Sequence, residues 1–332
     1  MSITVRRLSG FDDPSVGAER WNQLHRRSPS KVVHLTWQWQ AAWWETLGHG
    51  QLMLLAAERD GELLAIAPFY SESGMIFFVG SGDSCYLDFV GDVETCGVLE
   101  ALLHAARDAC PDFVGFRFYG MPSGSPTCAQ LGGAAAVAGL DCYRKREWST
   151  WTLDLTNRPY ADTMTRKKSL VRHENHFRRT GSLDVWHTHR GDEIAAELEA
   201  FFAQHVERRS ATAEPSAYTK PAQRRFVERW VELAADTGWL RFTRVAWNAR
   251  PIAYHLGNCY DGRYFWSKPT FAIDLARRSP GEVLLRQLLL AALDEPAHTF
   301  DFGTGDDPFK ARFATAAATA VSWGLFPKSA ES

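Results

Sequence analysis

Gly238-Trp239-Leu240, followed by Phe242 to Trp247, a turn at Asn248-Ala249 and a second run from Pro251 to Leu256, reads as two strands joined by a tight turn. The same order stands 188 positions earlier. Gly50-Gln51-Leu52 and Leu54 to Glu58 lead to a turn at Asp60-Gly61 and a second strand, Leu63 to Phe69. Further along, Gly97 opens the helical run Val98 to Ala106 and Phe113 to Phe118 is strand-like; Gly281, Val283 to Leu293 and Thr299 to Phe302 repeat that order at an offset of 184. A helix precedes each hairpin, Thr36 to Leu47 and Pro221 to Asp236. Helix, meandering strands, helix, strand thus occurs twice, which is the mark of a duplication with a domain-sized unit. The plainer alternative is that any α/β chain aligns loosely to itself. The junction is expected near Gly139 to Asp162, where Pro159 follows the strand-like run Trp148 to Leu155.

The length, 332 residues, suits two domains of ordinary size. With 45% hydrophobic residues, 13 Trp, 9 Tyr and 20 Phe, the chain can bury large cores, and global disorder is excluded. Lys and Arg number 37 against 39 Asp and Glu, so any nucleic-acid contact must come from a local patch. The cysteines, Cys85, Cys96, Cys110, Cys128, Cys142 and Cys259, show no C-x-x-C spacing, so neither a metal site nor a disulfide framework is expected. No signal-peptide run opens the chain, and the apolar stretches Leu63 to Tyr70 and Val283 to Leu293 are too short for a membrane span. The expectation is a cytoplasmic protein with reduced thiols.

Three motifs stand in order between Trp151 and Lys328. The first is a basic helix, Arg166-Lys167-Lys168 through Arg172 to Arg178-Arg179. The second is Arg278-Ser279-Pro280-Gly281-Glu282-Val283, running into an apolar helix. The third is Asp301-Phe302-Gly303-Thr304-Gly305, followed by Phe309-Lys310. Together they resemble the GNAT superfamily, in the branch of cellulose-synthesis-associated acyltransferases related to the Fem-type aminoacyltransferases. The resemblance implies an α/β fold of tandem duplicated GNAT-like domains, each a mixed, mostly antiparallel sheet flanked by helices. Residues 1–150 would be a degenerate N-terminal lobe, and 151–332 the acyltransferase domain carrying the donor site.

In that family a loop of pattern Arg/Gln-x-x-Gly-x-Gly/Ala at a helix N-terminus holds the pyrophosphate of coenzyme A, where backbone N–H groups and the helix dipole favour an anion. Here Arg278, Ser279, Gly281, Glu282 and Val283 take those positions, and Val283 departs from the small final residue in a way expected to narrow the cradle. The first-half counterpart, Glu94-Thr95-Cys96-Gly97-Val98-Leu99, puts an acid where the Arg stands, so that lobe is expected to have lost donor binding. The basic stretch from Asp162 to Thr180 reads as one amphipathic helix, with Met164 and Val171, and Leu170 and Phe177, seven apart. Such a charge run is usually a solvated face. The resemblance points it, with Arg172, at a phosphate: the 3′-phosphate of coenzyme A or a tRNA acceptor end.

Amide formation needs a deprotonated amine, a donor for the developing oxyanion and a proton or cation for the leaving group. For the last, the resemblance names Lys310; the aromatic before it, often Tyr in this branch, is Phe309, which cannot donate. Asp301 is a candidate to orient Lys310 or the amine, or is only a turn carboxylate. His255, in the strand Ala253 to Leu256 near the expected strand split, is a catalytic candidate or a structural histidine. His205 is similar to a histidine frequent in this branch. Tyr264, Trp266 and Lys268 alternate along the next strand and share a face that lines the acceptor pocket or is core and rim. Tyr86-Leu87-Asp88-Phe89 resembles an aromatic-acidic motif of these proteins, and Asp88 is a candidate for the acceptor's ammonium. Trp37, Trp39, Trp43 and Trp44 are spaced to pack from one helix.

Three functions stay open. The leading one is an N-acyltransferase moving an acyl group from acyl-coenzyme A to a small or sugar-linked amine. The second is a Fem-like, aminoacyl-tRNA-dependent aminoacyltransferase, and the third a non-catalytic scaffold of duplicated lobes. No G-x-S-x-G, G-x-x-x-x-G-K-[ST] or H-E-x-x-H motif is present.

Overall fold

A computed structural model of the chain describes residues 3–210, 212 and 214–328. Two compact units result: one runs to Ser149 and includes Ala318 onward, the other is Thr150–Ala317. The expectation assigned all of 151–332 to one domain. The residues from Ala318 on belong instead with the first unit, because the last strand pairs there with its sheet.

The first unit runs β1 (Thr4–Arg7), α1 (Gly17–His25), α2 (Trp37–Leu47), β2 (Gln51–Arg59), β3 (Glu62–Glu72), β4 (Met75–Phe78), β5 (Val90–Gly91), α3 (Val98–Asp108), β6 (Gly115–Pro122), α4 (Pro126–Val137) and most of β7 (Leu140–Asp154). The second continues with α5 (Arg158–Thr165), α6 (Lys168–Thr180), β8 (Leu183–Thr188), α7 (Gly191–Arg209), α8 (Pro221–Ala234), β9 (Leu240–Trp247), β10 (Arg250–Tyr260), β11 (Arg263–Phe271), α9 (Pro280–Asp294), β12 (Thr299–Thr304) and α10 (Pro308–Ala311), before β13 (Ala316–Pro327).

The duplication is present in the fold. In the first unit β1, β2, β3 and β4 pair antiparallel in sequence, and β4 pairs parallel with β6 across α3. In the second, β8, β9, β10 and β11 pair antiparallel, and β11 pairs parallel with β12 across α9. Each meander turns twice through two residues that both have positive φ. The turns are Asp60-Gly61 and Ser73-Gly74 in the first unit, Asn248-Ala249 and Asp261-Gly262 in the second. Two such residues give the turn whose twist matches that of the flanking strands. At Asn248-Ala249, where no glycine relieves the backbone, Asn248 is tied to Ser182: its N–H donates to the Ser182 carbonyl at 2.8 Å and its Oδ1 accepts from the Ser182 N–H at 2.9 Å.

Each sheet is covered by amphipathic helices. In α9, Val283, Leu284, Leu285, Leu288, Leu289 and Ala292 are buried against the strands, and Pro280 presets the first turn. In α2, Trp39 and Trp43 are buried; their indole N–H groups donate to Ser84 Oγ and Asp83 Oδ2, both at 2.9 Å, so this cluster packs as expected. The basic stretch is not one helix. It breaks at Arg166-Lys167, where Lys167 is extended and its ammonium bonds the Arg312 carbonyl and lies over the Phe313 ring. Among the described residues no helix is long and apolar enough to cross a membrane.

Candidate functional site

The second sheet comes apart at one place. β11 and β12 run parallel and pair only from Arg263 to Phe265 opposite Thr299 to Asp301; β11 then continues to Phe271 with no β12 partner. The register of β10 and β11 also shifts there, between Leu256 and Asn258. A parallel pair that parts leaves backbone groups free on the facing edges, and these must find other partners.

A cavity of about 230 Å³ lies along this open segment. Trp266, Thr270 and Phe271 of β11 form one wall; Ser279, Gly281 and Glu282, at the start of α9, form another. Arg208 from the last turn of α7 and Phe309 from α10 close it. Ser279 adopts a left-handed conformation (φ 54°, ψ 56°), and its carbonyl accepts from the Glu282 N–H at 3.0 Å. A Cβ on Gly281 would lie 3.1 Å from the Phe271 ring, so the loop's close approach depends on glycine. The dipole at the helix start suits an anion, while the N–H groups of Ser279, Glu282 and Val283 are taken by the Ala276 and Ser279 carbonyls and Pro280 has none. Glu282 offsets part of that field; its carboxylate lies 3.5 Å from Arg312 and 3.6 Å from His173 Nε2.

Of the expected donor residues, Ser279, Gly281 and Glu282 line this cavity. Val283 does not narrow it. Its side chain is fully buried in the core, because that position of α9 faces the sheet. Arg278 lies outside the lining, exposed at the end of a short 3-10 turn, its guanidinium 6.0 Å from the Trp247 ring. Arg172 is exposed on α6, its Nη2 3.4 Å from His173 Nε2.

The expected catalytic residues scatter. Lys310 is nearly buried beside Phe309; its ammonium donates to the Thr304 carbonyl at 2.5 Å and lies 3.6 Å from Asp307, bracing the glycine turn after β12. Asp301 accepts from Arg263 Nη1 at 2.8 Å and from the Gly303 N–H at 2.7 Å. His255 plugs the β10–β11 irregularity. It is fully buried, accepts the Ser267 N–H on Nε2 at 3.3 Å and packs so close to Gly257 that a Cβ there would lie 2.4 Å from its ring. Burial drives its pKa down to about 3, against which a Phe265 backbone bond works only partly, so the ring is neutral near pH 7. His205 bonds Ser216 Oγ through Nδ1 at 2.8 Å, and burial, then Lys268, Arg209 and Arg208, lower its pKa to about 4.

On β11 only Trp266 of the expected acceptor residues faces the cavity. Tyr264 is buried in the core and stacked on Phe300 at 5.5 Å, and Lys268 is exposed. In the first unit Tyr86 is buried with its ring 6.0 Å from His34. Asp88 is buried and saturated. It accepts from Ser30 Oγ (2.8 Å), Ser125 Oγ (2.5 Å), Thr127 Oγ1 (2.7 Å) and the Phe89 N–H (2.9 Å). Burial outweighs these bonds and raises its pKa. It anchors α4 and the preceding loop and has no acceptor site left for an ammonium.

Arg208 and Thr270 also line the cavity and were not among the expected residues. Arg208 sits in an ordinary-looking helical surface pattern 70 residues before the Arg278 motif, and nothing local separates Thr270 from its strand neighbours. Among the described residues no cluster of three or more His, Cys, Asp or Glu is placed to hold a metal ion.

Residues 164–311 match the family described as the acetyltransferase (GNAT) domain, and the chain therefore carries an acyltransferase domain of the GNAT class. Among solved structures the chain is similar to FemX, at 12% identity and a TM-score of 0.68, over 98% of this chain and 97% of that one. It is also similar to the tandem GNAT protein from the clavulanic acid biosynthesis pathway (15%, TM-score 0.55, 99% and 100% covered). A third similar structure is the C-terminal domain of a protein assigned as a lysylphosphatidylglycerol synthetase from Agrobacterium fabrum (14%, TM-score 0.58, 92% and 90% covered). At these identities the likeness is one of fold, and it runs over nearly the whole chain. No curated protein matches by sequence.

Proposed function

We propose that the protein is an N-acyltransferase that moves an acyl group from acyl-coenzyme A to the amino group of a small or sugar-linked acceptor. The observation that carries the reading is the cavity where β11 leaves β12, floored by Ser279 and Gly281 at the start of α9. In this reading the α9 start holds the pyrophosphate and the open edge of β11 takes the pantetheine arm in place of the missing strand. The amine attacks the thioester carbonyl; the C–N bond forms, the C–S bond breaks and the amine's proton leaves to solvent. Backbone N–H groups on the open β11 edge take the tetrahedral oxyanion. Lys310, next to the cavity residue Phe309, supplies the positive charge for the departing thiolate. His255 is given no proton-transfer role in this reading, because it is sealed in the strand irregularity with Nε2 bonded to the Ser267 N–H and Nδ1 buried.

The test is thiol release from acetyl-coenzyme A with a panel of amines, in the wild type and in Lys310→Ala. Amine-dependent release that falls at least tenfold in the variant, with coenzyme A affinity kept, supports the reading. If no amine releases thiol and coenzyme A does not bind, the donor is wrong. Charged tRNA is then the donor to try, as the fold likeness to FemX and the exposed Lys168, Arg172 and Arg179 of α6 would favour.

A further inference from the structure

Three groups lining the cavity have unspent hydrogen-bonding capacity among the described residues: Arg208, Thr270 and one carboxylate oxygen of Glu282, which Arg312 and His173 flank. Arg208 donates Nη1 to the Pro269 carbonyl at 2.8 Å, and its guanidinium lies over the Phe271 ring, 4.1 Å from the centroid. Among the described residues no carboxylate lies within ion-pair distance of it. Burial, then Arg209, lowers its pKa to about 10, with Asp307 opposing from beyond ion-pair distance, so the cation is partly stripped of water. Thr270, one residue before Phe271, is fully buried in the cavity wall, and its hydroxyl has no partner among the described residues. Buried polar groups are nearly always bonded, and those that are not mark a place for a ligand or water.

Arg208 and Thr270 lie in the same cavity as the α9 start. The Phe271 ring lies against the guanidinium and the Pro269 carbonyl takes one of its N–H groups, leaving the others for an oxyanion. Glu282 is the opposing charge on the lining, and Arg312 and His173 flank it.

We propose that Arg208 and Thr270 form an oxyanion-gripping subsite that holds a pyrophosphate against the α9 start, making Arg208 the residue that sets specificity for phosphate-bearing donors. That the pyrophosphate belongs to coenzyme A rests on the functional reading above; that the subsite takes an oxyanion does not.

The test is calorimetric titration of wild type, Arg208→Gln, Arg208→Lys and Thr270→Val with inorganic pyrophosphate, coenzyme A and pantetheine. Circular dichroism confirms that each variant is folded. The expected result is a loss of about ten- to a hundredfold for pyrophosphate and coenzyme A in Arg208→Gln. Arg208→Lys falls in between, because it keeps the charge without the fork, and Thr270→Val loses severalfold. Pantetheine binding is unchanged in all. Equal pyrophosphate affinity in wild type and Arg208→Gln, or no pyrophosphate binding to wild type, overturns the subsite. An equal loss for pantetheine also overturns it, because Arg208 would then act by packing. Arg208-dependent pyrophosphate binding without coenzyme A binding keeps the subsite and removes the acyl-coenzyme A reading instead.

Discussion

The loop before α3 and the loop before α9 occupy the same place in the two repeats, and the second opens onto the cavity described above. Both helices start from a left-handed residue, Gly97 at φ 87° and Ser279 at φ 54°. In the first unit the loop is satisfied by its own chain. Asp92 accepts from the N–H groups of Glu94 (2.9 Å) and Thr95 (3.1 Å) and from the Thr95 hydroxyl (2.6 Å). Burial alone would raise the Asp92 pKa, but these donors together with Arg59 win and lower it. A carboxylate of the protein thus stands in the loop where the second repeat leaves room for an anion from outside.

The strands differ in the same sense. β4 stops at Phe78, four residues long, and Phe69, Phe78, Phe89 and Phe118 pack into one cluster, with Phe78 and Phe118 4.5 Å apart. β11 runs on for six residues past its last β12 partner. A short strand over packed phenylalanines makes a support; a long, unpaired edge makes a binding wall. Duplicated units diverge in function by what fills the parting, while the strand order stays the same.

The largest expected effect follows from filling the second parting. Gly281→Leu should push a side chain into Phe271 and the cavity, lowering donor-dependent turnover by on the order of a hundredfold with little change in melting temperature. A variant with normal turnover would break the contrast between the two loops.

Next comes Asp88, which the comparison makes structural. Asp88→Ala leaves the Ser30, Ser125 and Thr127 hydroxyls without their acceptor and should cost about 3 kcal/mol in urea denaturation, with acceptor KM unchanged. Asp88→Asn should cost less, because burial already disfavours the charge. A raised KM without loss of stability would return Asp88 to the acceptor site.

A smaller effect is acid sensitivity confined to the second unit. The folded pKa of His255, about 3, lies below the ordinary 6.5, so the fold favours the neutral ring. Stability from that preference is complete above pH 6.5 and is lost as pH falls from 6.5 toward 3. Between pH 7 and pH 5 the loss from His255 should be about 2 kcal/mol; His255→Gln should remove that share and leave the share from His205, whose pKa is also lowered by burial. The smallest effect is expected at Arg278. Exposed and resting on Trp247, it should change coenzyme A affinity less than about threefold on conversion to Glu. A tenfold loss there would return the main cation to the motif and away from α7.

Local chemistry made the repeat legible. Asp60-Gly61 and Asn248-Ala249 announce their turns, and the apolar runs of β2, β3, β9 and β10 alternate with them. The α9 loop was legible too, because Pro280 and Gly281 punctuate it before an apolar helix. Side-chain direction was less so. Val283 matched a motif position, but the helix turns it into the core. Asp301 was visible as a strand-end acid, while its partner Arg263 is 38 positions away on a parallel strand that only the fold brings alongside. Arg208 and Thr270 were invisible for the same reason: their meaning lies in what they lack, and a missing partner leaves no trace in a sequence. The break at Arg166-Lys167 escaped because the apolar spacing continues across it.

The most direct test of the central claim, that one repeat binds the donor and the other has filled its own site, is a calorimetric count of coenzyme A sites. The account predicts one site per chain in the wild type and none in Gly281→Leu. Two sites, no site in the wild type, or an undiminished site in Gly281→Leu would contradict it.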